Sequence, residues 1–459
     1  MFTKLKFQNF KSWQDTGDIK LAPITGFFGS NSSGKSSILQ FLLLLKQTVE
    51  STDRQRVLQT GDERSYVDVG TFYDISYRHI IPNVINFSLA WDLPKTLNIL
   101  NPEGAEDNIL FSINKLEFSS KINLGQDQIS VEEFSYKFEY QTESINFEIK
   151  QKQPSNTPEY TLKAKGFKPK RVKGRVWPLP EPIKHYGFPD QASGYYQNTG
   201  FLSDFSLAYE QAFQQTYYLG PLREYPKRIY PWAGEKPQDV GRRGELAIPA
   251  LLASRKLPKI RLSQRRTVSL QERVALWLKD LNLIDSFNVQ AIGKNRKDYE
   301  VRVKRTLGSS EVLITDVGFG VSQVLPVLVL CYYAPEGSTV ILEQPEIHLH
   351  PSVQAGLADV FIDAIKTRNI QIIVESHSEH LLRRLQRRIA EEKDGLTHED
   401  INLYFCNSQP DGQSSITPLE IDLFGNITNW PDNFFGDEMG DLMAMTEAAM
   451  KRQMGDELN

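Results

Sequence analysis

Hydrophobic and polar positions along the chain fall into three regimes. Residues 1–30 read as strand, turn, strand: "FTKLKFQNF", then "IKLAPITGFFG". A glycine-serine loop follows, then a helix from about Ser36 whose run "ILQFLLLLK" is apolar on nearly all sides, as in a helix buried between layers. From about 84 to 165 the period becomes two, in "NVINFSLAWDL", "ILFSINKLEFSSKINL", "FSYKFEYQTESINFEIKQ" and "EYTLKAKGF". Turn residues separate these stretches, which predicts antiparallel strands. Residues 168–200, rich in Pro, Gly and aromatic residues, predict irregular packing. "QTYYLGPLREYP" then returns to the core sheet, followed by a helix in "LQERVALWLKDLNL" and a strand pair around "DYEVRVKRTLGSSEVLI". The last third alternates helix and apolar strand, the parallel α/β pattern. The organisation expected is a core first half at 1–83, an inserted β-rich lobe at 84–214, a core second half at 215–405 and a small extension at 406–459.

Chemistry concentrates at four places on this frame. "GSNSSGKSS" matches G-x-x-x-x-G-K-[ST] between a predicted strand and a predicted helix, the context a phosphate loop requires. Small residues let backbone N–H groups of Gly29, Asn31, Ser32, Ser33 and Gly34 curl around a β-phosphate, where a Cβ would obstruct. Lys35 would reach the β- and γ-phosphates, Ser36 would ligate Mg²⁺, and Ser37 stands in the helix start whose dipole favours anions. Far downstream, "VILEQPEIHLHP" delivers Glu343 at the end of an apolar strand, suited to a metal site shared with Ser36. "TDVGFGVSQVLPVL" sets Gly318, Gly320, Ser322 and Gln323 at another helix start, a second anion cradle. "QIIVESHSEHLL" reads as an apolar strand ending at His377, placed to meet a γ-phosphate.

The order of these elements, phosphate loop, GxGxSQ-like signature, acid-ended strand, then a strand ending in S-H-S, resembles the ABC-type ATPase heads. The branch it resembles is that of SMC, RecF and the OLD-type (overcoming lysogenization defect) ATPases of bacterial conflict systems. "LKFQNFKSW", with Lys11, is similar to the N-terminal strand of that branch, which ends near the nucleotide. "YLGPLR", "EQPEIHLHP", "ESHSEHLLRRL" and "NITNWPDNFF" together resemble one prokaryotic subfamily of it. The resemblance covers roughly 1–80 and 215–405 and implies an ABC-ATPase-like P-loop core with a mixed, largely parallel sheet plus the antiparallel lobe. It also implies ATP and Mg²⁺ as ligands, bound between two protomers. Ser322 and its glycines would then complete the site in trans, making a homodimer or higher oligomer.

Gln344 raises the question of what activates water. Aligned by Pro345, Glu343 takes the metal-site acid and Gln344 the position of the transporter general base. A glutamine can orient a water but cannot take its proton near neutral pH. Either Glu346 or His377 supplies the missing function and turnover is modest, or hydrolysis is very slow and the protein is an ATP-locked clamp. The turn after Pro345 could aim Glu346 at the site, which favours the first. His348, His350, His377 and His380 have spacings compatible with zinc or manganese. The γ-phosphate role already accounts for His377, and no cysteine or carboxylate cluster joins the four.

Bulk composition changes this picture little. With 459 residues, 40% apolar and 24% charged, and a net charge of −4, nothing global demands nucleic acid. The basic stretches at 163–175, 254–266 and 383–388 would still allow non-specific contact with a DNA backbone. Two distant cysteines argue for a reducing compartment, and the apolar runs are too short to span a bilayer, so a cytoplasmic protein without membrane partners is expected. There is no coiled-coil arm, and the chain after His377 lacks the spaced acids of the OLD nuclease domain. The resemblance therefore points to a bacterial defence ATPase that controls a separate effector, a nuclease or toxin. The alternatives are a RecF-like DNA-repair ATPase and an ATP-bound scaffold.

Overall fold

The computed structural model describes all residues except 103–107, 127, 153–157, 175–176, 264–265, 294–295, 432–433, 435–437 and 457–459. Parts of the basic stretches and of "NITNWPDNFF" therefore lie outside the described residues. The chain opens with β1 (Phe2–Phe10), β2 (Trp13–Asp15) and β3 (Ile19–Lys20), then β4 (Ile24–Gly29) and the helix Lys35–Glu50. Five long strands follow: β5 (Asn83–Leu100), β6 (Ile109–Leu124), β7 (Ile129–Tyr140), β8 (Glu143–Gln151) and β9 (Tyr160–Lys165). These five join β1, β2 and β3 in an antiparallel eight-stranded sheet ordered β2-β1-β5-β6-β7-β8-β9, with β3 on β1. The lobe thus borrows its first strands from before the phosphate loop. Its inward positions alternate along the strands and pack Phe118, Tyr136 and Phe147 against the helix Leu202–Gln214, while Phe87 meets Phe41 of the helix Lys35–Glu50.

After β10 (Thr216–Leu219) come β11 (Tyr230–Pro231), a hairpin of β12 (Ile260–Ser263) and β13 (Arg266–Val268), and β14 (Ser286–Ala291), β15 (Asp298–Lys304) and β16 (Val312–Leu313). The helix Leu270–Asp280 starts with a capping box, Ser269 accepting from the Glu272 N–H. The second half closes with β17 (Thr339–Glu343), β18 (Gln371–Glu375), β19 (Ile401–Ser408) and β20 (Ser414–Leu419). The core sheet runs β10-β17-β18-β4-β19-β20, parallel except for the β19/β20 pair.

The central parallel strands β17, β18 and β4 are mostly apolar because helices cover both faces, as such a sheet requires. β4 is buried along its length to Phe28, and β17 and β18 are likewise buried to their terminal glutamates. The architecture is the α/β fold expected, with the P-loop strand in the middle of the sheet. The carboxyl ends of the parallel strands lie along one edge, where ligands of open α/β sheets bind.

Candidate nucleotide site

The glycine-serine turn after β4 is held by its surroundings. Gly29 has φ +135°, and a Cβ there would lie 2.0 Å from the Cys406 carbonyl oxygen of the neighbouring strand. Gly34 has φ +89°, and its Cβ would meet the Ser414 hydroxyl at 2.3 Å. Only glycine fits either position. The fully buried Trp13 donates from Nε1 to the Gly34 carbonyl at 3.0 Å, and Ser414 bonds Ser12 through backbone and side chain. Lys35 curls over the loop, its ammonium donating to the Ser30 carbonyl at 2.6 Å and the Gly29 carbonyl at 3.1 Å. Its carbonyl partners are replaceable by phosphate oxygens, which suits a cradle awaiting an anion.

Asn31, Ser32, Ser33, Gly34, Lys35, Ser36 and Ser37 line one pocket of about 270 Å³ with Ser12, Gln40, Gln344, Glu375 and His377. The structure therefore brings Gln344 and His377 to the phosphate loop. Ser12 also lines an adjoining cavity of about 440 Å³ with Lys11, Val69, Asp74, Tyr77, Arg78, His79 and Asp411. Lys11 bonds Gln40, and burial lowers its pKa against the pull of Asp74 and Asp68.

Three carboxylates stand behind the pocket. Glu343 and Glu375 end adjacent parallel strands in direct register. The carboxylate bonded to Ser36 is Glu375, its Oε1 accepting from Oγ at 2.8 Å, while Glu343 accepts from the Tyr218 hydroxyl at 2.7 Å. Glu346 is buried, and its Oε1 accepts from the Ser376 hydroxyl and the His377 N–H at 2.8 and 2.7 Å. Burial raises all three pKa values, that of Glu375 to about 7 with Glu343 adding like-charge repulsion. The Oε2 atoms of Glu346 and Glu375 have no hydrogen-bond partner, although both are buried. The orphaned oxygen of Glu375, beside the Ser36 hydroxyl, suits Mg²⁺. Burial and the nearby Lys35 lower the His377 pKa, favouring the neutral ring.

Glu375 and Tyr218 were not singled out from the sequence. The signal for Glu375 is present, since "QIIVE" repeats the apolar-strand-then-acid pattern of "TVILE", but the strand expected from the sequence runs on to His377, whereas it ends at Glu375. Tyr218 carried none, since only the parallel pairing of β10 with β17 brings its hydroxyl to Glu343.

The signature residues do not line the phosphate pocket. Gly318 precedes the helix Phe319–Tyr333 with ordinary backbone angles, and a Cβ there would meet nothing within 4 Å. Gly320 is nearly as open, its imagined Cβ 3.5 Å from Leu283. Ser322 and Gln323 are buried in their own chain, and the Ser322 hydroxyl donates to the Phe319 carbonyl. His348 packs on Phe319, and His350 caps the helix Pro351–Arg368 by accepting from the Ser352 N–H. Among the described residues no group of three or more His, Cys, Asp or Glu could hold a metal ion.

The arginines of "RRLQRR" are all paired: Arg383 with Glu379, Arg384 and Arg388 with Asp359, and Arg387 with Glu391. That stretch presents a neutralised helix face rather than a bare basic patch. No helix among the described residues is long and apolar enough to cross a membrane.

Family models match three segments of the chain. A model described as an AAA ATPase domain matches residues 1–176. Another, described as an AAA domain, putative AbiEii toxin, Type IV TA system, matches residues 247–383. A third, described as a protein of unknown function, matches residues 396–445. No curated protein matches the chain. Among solved structures, an SMC head bound to the C-terminal winged-helix domain of ScpA is similar at TM-score 0.43 and 11% identity, with 92% of this chain and 98% of that one covered. The SMC head domain from Thermotoga maritima is similar at TM-score 0.40 and 11% identity, covering 92% and 99%.

Proposed function

We propose that this chain binds ATP with Mg²⁺ and hydrolyses it slowly, using the nucleotide to hold two copies together and so control a separate effector in a bacterial defence system. The observation that carries the nucleotide reading is the phosphate loop. Its shape is enforced by Cys406, Ser414 and Trp13, and its lysine rests on exchangeable carbonyls. The two ATPase-domain matches support the same reading.

In this reading the loop N–H groups and Lys35 grip the β- and γ-phosphates, and the nucleoside enters the cavity lined by Lys11, Tyr77 and Arg78. Ser36, Glu375 and Glu343 hold the Mg²⁺, which supplies charge neutralisation at the γ-phosphate. Gln344 and His377 face the pocket and orient the attacking water. Glu346 fixes the turn that presents His377 through Oε1 and does not itself line the phosphate pocket, so a proton reaches it only through an intervening group. That arrangement supports low turnover.

Gly318 and Gly320 remain open to a second copy's nucleotide, which supports pairing through the signature. The effector role is supported by the match of residues 247–383 to an AAA domain described as a putative AbiEii toxin, Type IV TA system.

Phosphate release is measured for wild type, Lys35→Ala, Gln344→Glu and Glu346→Ala, with nucleotide affinity by calorimetry. Lys35→Ala is expected to weaken ATP binding at least about 100-fold, from the loss of several charge-assisted bonds. Wild type that binds no nucleotide would end the proposal. Unchanged turnover in Glu346→Ala would remove that residue from the chemistry. Bound ATP that is never hydrolysed would favour the scaffold reading, for which Gln344 is the supporting observation. DNA-stimulated turnover would favour the repair reading.

A further inference from the structure

Arg223 is the most exceptional polar group in the molecule. It follows β10 in "YLGPLR" and is only 5% exposed, yet Nε and both terminal nitrogens of its guanidinium lack any hydrogen-bond partner. Its charged neighbours are Glu343 and Glu346. Burial pulls its pKa down to about 10 against the opposing pull of Tyr218 and those two carboxylates, so it remains a cation. Five buried N–H donors without acceptors are costly, and the spare Oε2 atom of Glu346 is an equally unsatisfied acceptor nearby.

The loop that carries Arg223 reaches the signature. Its backbone is anchored behind by Gly220 and Glu224, which donate to the Arg242 and Arg243 carbonyls. Ahead, the Tyr225 ring sits 5.7 Å from that of Phe319. Glu224, Tyr225 and Pro226 share a small cavity with Ser322, Leu325 and Pro326 of the signature helix. One loop therefore touches the carboxylate cluster at one end and the start of the signature helix at the other.

We propose that Arg223 couples the phosphate pocket to the signature helix of its own chain: in the nucleotide-loaded protein its guanidinium pairs with Glu346 and holds the 220–229 loop against Phe319 and Ser322. The differential interaction comes from Glu343. Without nucleotide, Glu343 and Glu346 share the guanidinium and neither bonds it. With Glu343 committed to the metal–phosphate side, Glu346 is left as the sole carboxylate claim on Arg223, and a charge-assisted bond to its free Oε2 forms. Arg223 is a positioning residue here, since it lies behind the pocket and acts through Glu346. The signature that it braces serves the partner copy's site, so the relay would link the two sites of a pair.

This inference rests on the nucleotide reading above, and hydrogen exchange on the full chain separates the two. With a slowly hydrolysed ATP analogue and Mg²⁺, wild type is expected to slow exchange about tenfold or more in 29–40, 220–229 and 317–324, and with ADP and Mg²⁺ in 29–40 only. Arg223→Gln should keep the protection at 29–40 and lose it at the other two segments. Glu346→Gln, which leaves the arginine in place, should give the same loss, and it stands in if Arg223→Gln does not fold. Arg223→Lys should retain part of it, because an ammonium keeps the charge without the fork. Full protection at 220–229 and 317–324 in Arg223→Gln and Glu346→Gln would overturn the relay. So would loss at all three segments, which would place Arg223 in nucleotide binding itself. No protection at 29–40 in wild type would sink the nucleotide reading and this inference with it.

Discussion

The molecule contains two glycine-serine helix starts, and the chain treats them in opposite ways. At 29–37 the glycines are demanded from within: positive φ at Gly29 and Gly34, and neighbours at 2.0 and 2.3 Å from any added Cβ. At 318–323 nothing within the chain demands them. Gly318 has ordinary backbone angles and empty space where a side chain would stand, while Phe319 beside it is 41% exposed. A cradle built by its own fold has its reason inside the molecule. One that leaves room unused is open to the second copy that the proposed pairing would bring there. The same contrast marks the buried polar groups. Trp13 and Lys35 at the phosphate loop are bonded, whereas Arg223 and the free oxygens of Glu346 and Glu375 await partners.

The largest effect that would sharpen this contrast is on stability. Gly29→Ala forces strained backbone and a clash with main chain that cannot yield, so a loss of about 3 kcal/mol or more is expected by chemical denaturation. Gly34→Ala should follow closely, with Ser414 able to give slightly.

Next comes pH. Folded Glu375 titrates near 7, against an ordinary carboxylate value of 4.5. Between those values the folded state holds a proton that the unfolded chain has released. That stabilisation is present in full below about 4.5 and is lost as pH rises through about 7. Metal-free protein should therefore lose up to about 1.4 kcal/mol per pH unit across that window. Glu375→Gln should flatten the slope, and an equally steep slope in the variant would assign it elsewhere.

The smallest expected change is the one that tests the contrast most directly. Gly318→Ala should alter unfolding free energy by less than about 0.5 kcal/mol, because its methyl meets nothing within 4 Å. The same variant should lose ATP-dependent association by light scattering. A protein destabilised as badly as Gly29→Ala would erase the difference between the two turns.

Much of this was legible in advance because it is local. The phosphate loop shows in "GSNSSGKSS", since the backbone path around a phosphate restricts residue type at fixed spacing. The antiparallel lobe shows in a period of two from 84 to 165, and the parallel core in apolar five-residue runs. The sequence also singles out Glu343 and His377; in the structure His377 lines the phosphate pocket and Glu343 bonds Tyr218. It could not show that Ser36 bonds Glu375 rather than Glu343, because that depends on β18 lying between β17 and β4. Nor could it show "RRLQRR" as neutral, since Asp359, which pairs two of its arginines, comes from another helix.

The amino-acid sequence by itself determined the local devices: which turn can wrap an anion, which strands are buried on both faces, and which residues end them. Periodicity and steric allowance act over a few residues, and they leave their record in residue type. Tertiary structure alone decided how the charges are shared, setting Glu343, Glu346 and Glu375 around one unpartnered arginine and one lysine. Strand order brings these groups together from positions up to 340 residues apart in the chain. Electrostatic energy depends on distance and burial in space, and no spacing along a sequence encodes either.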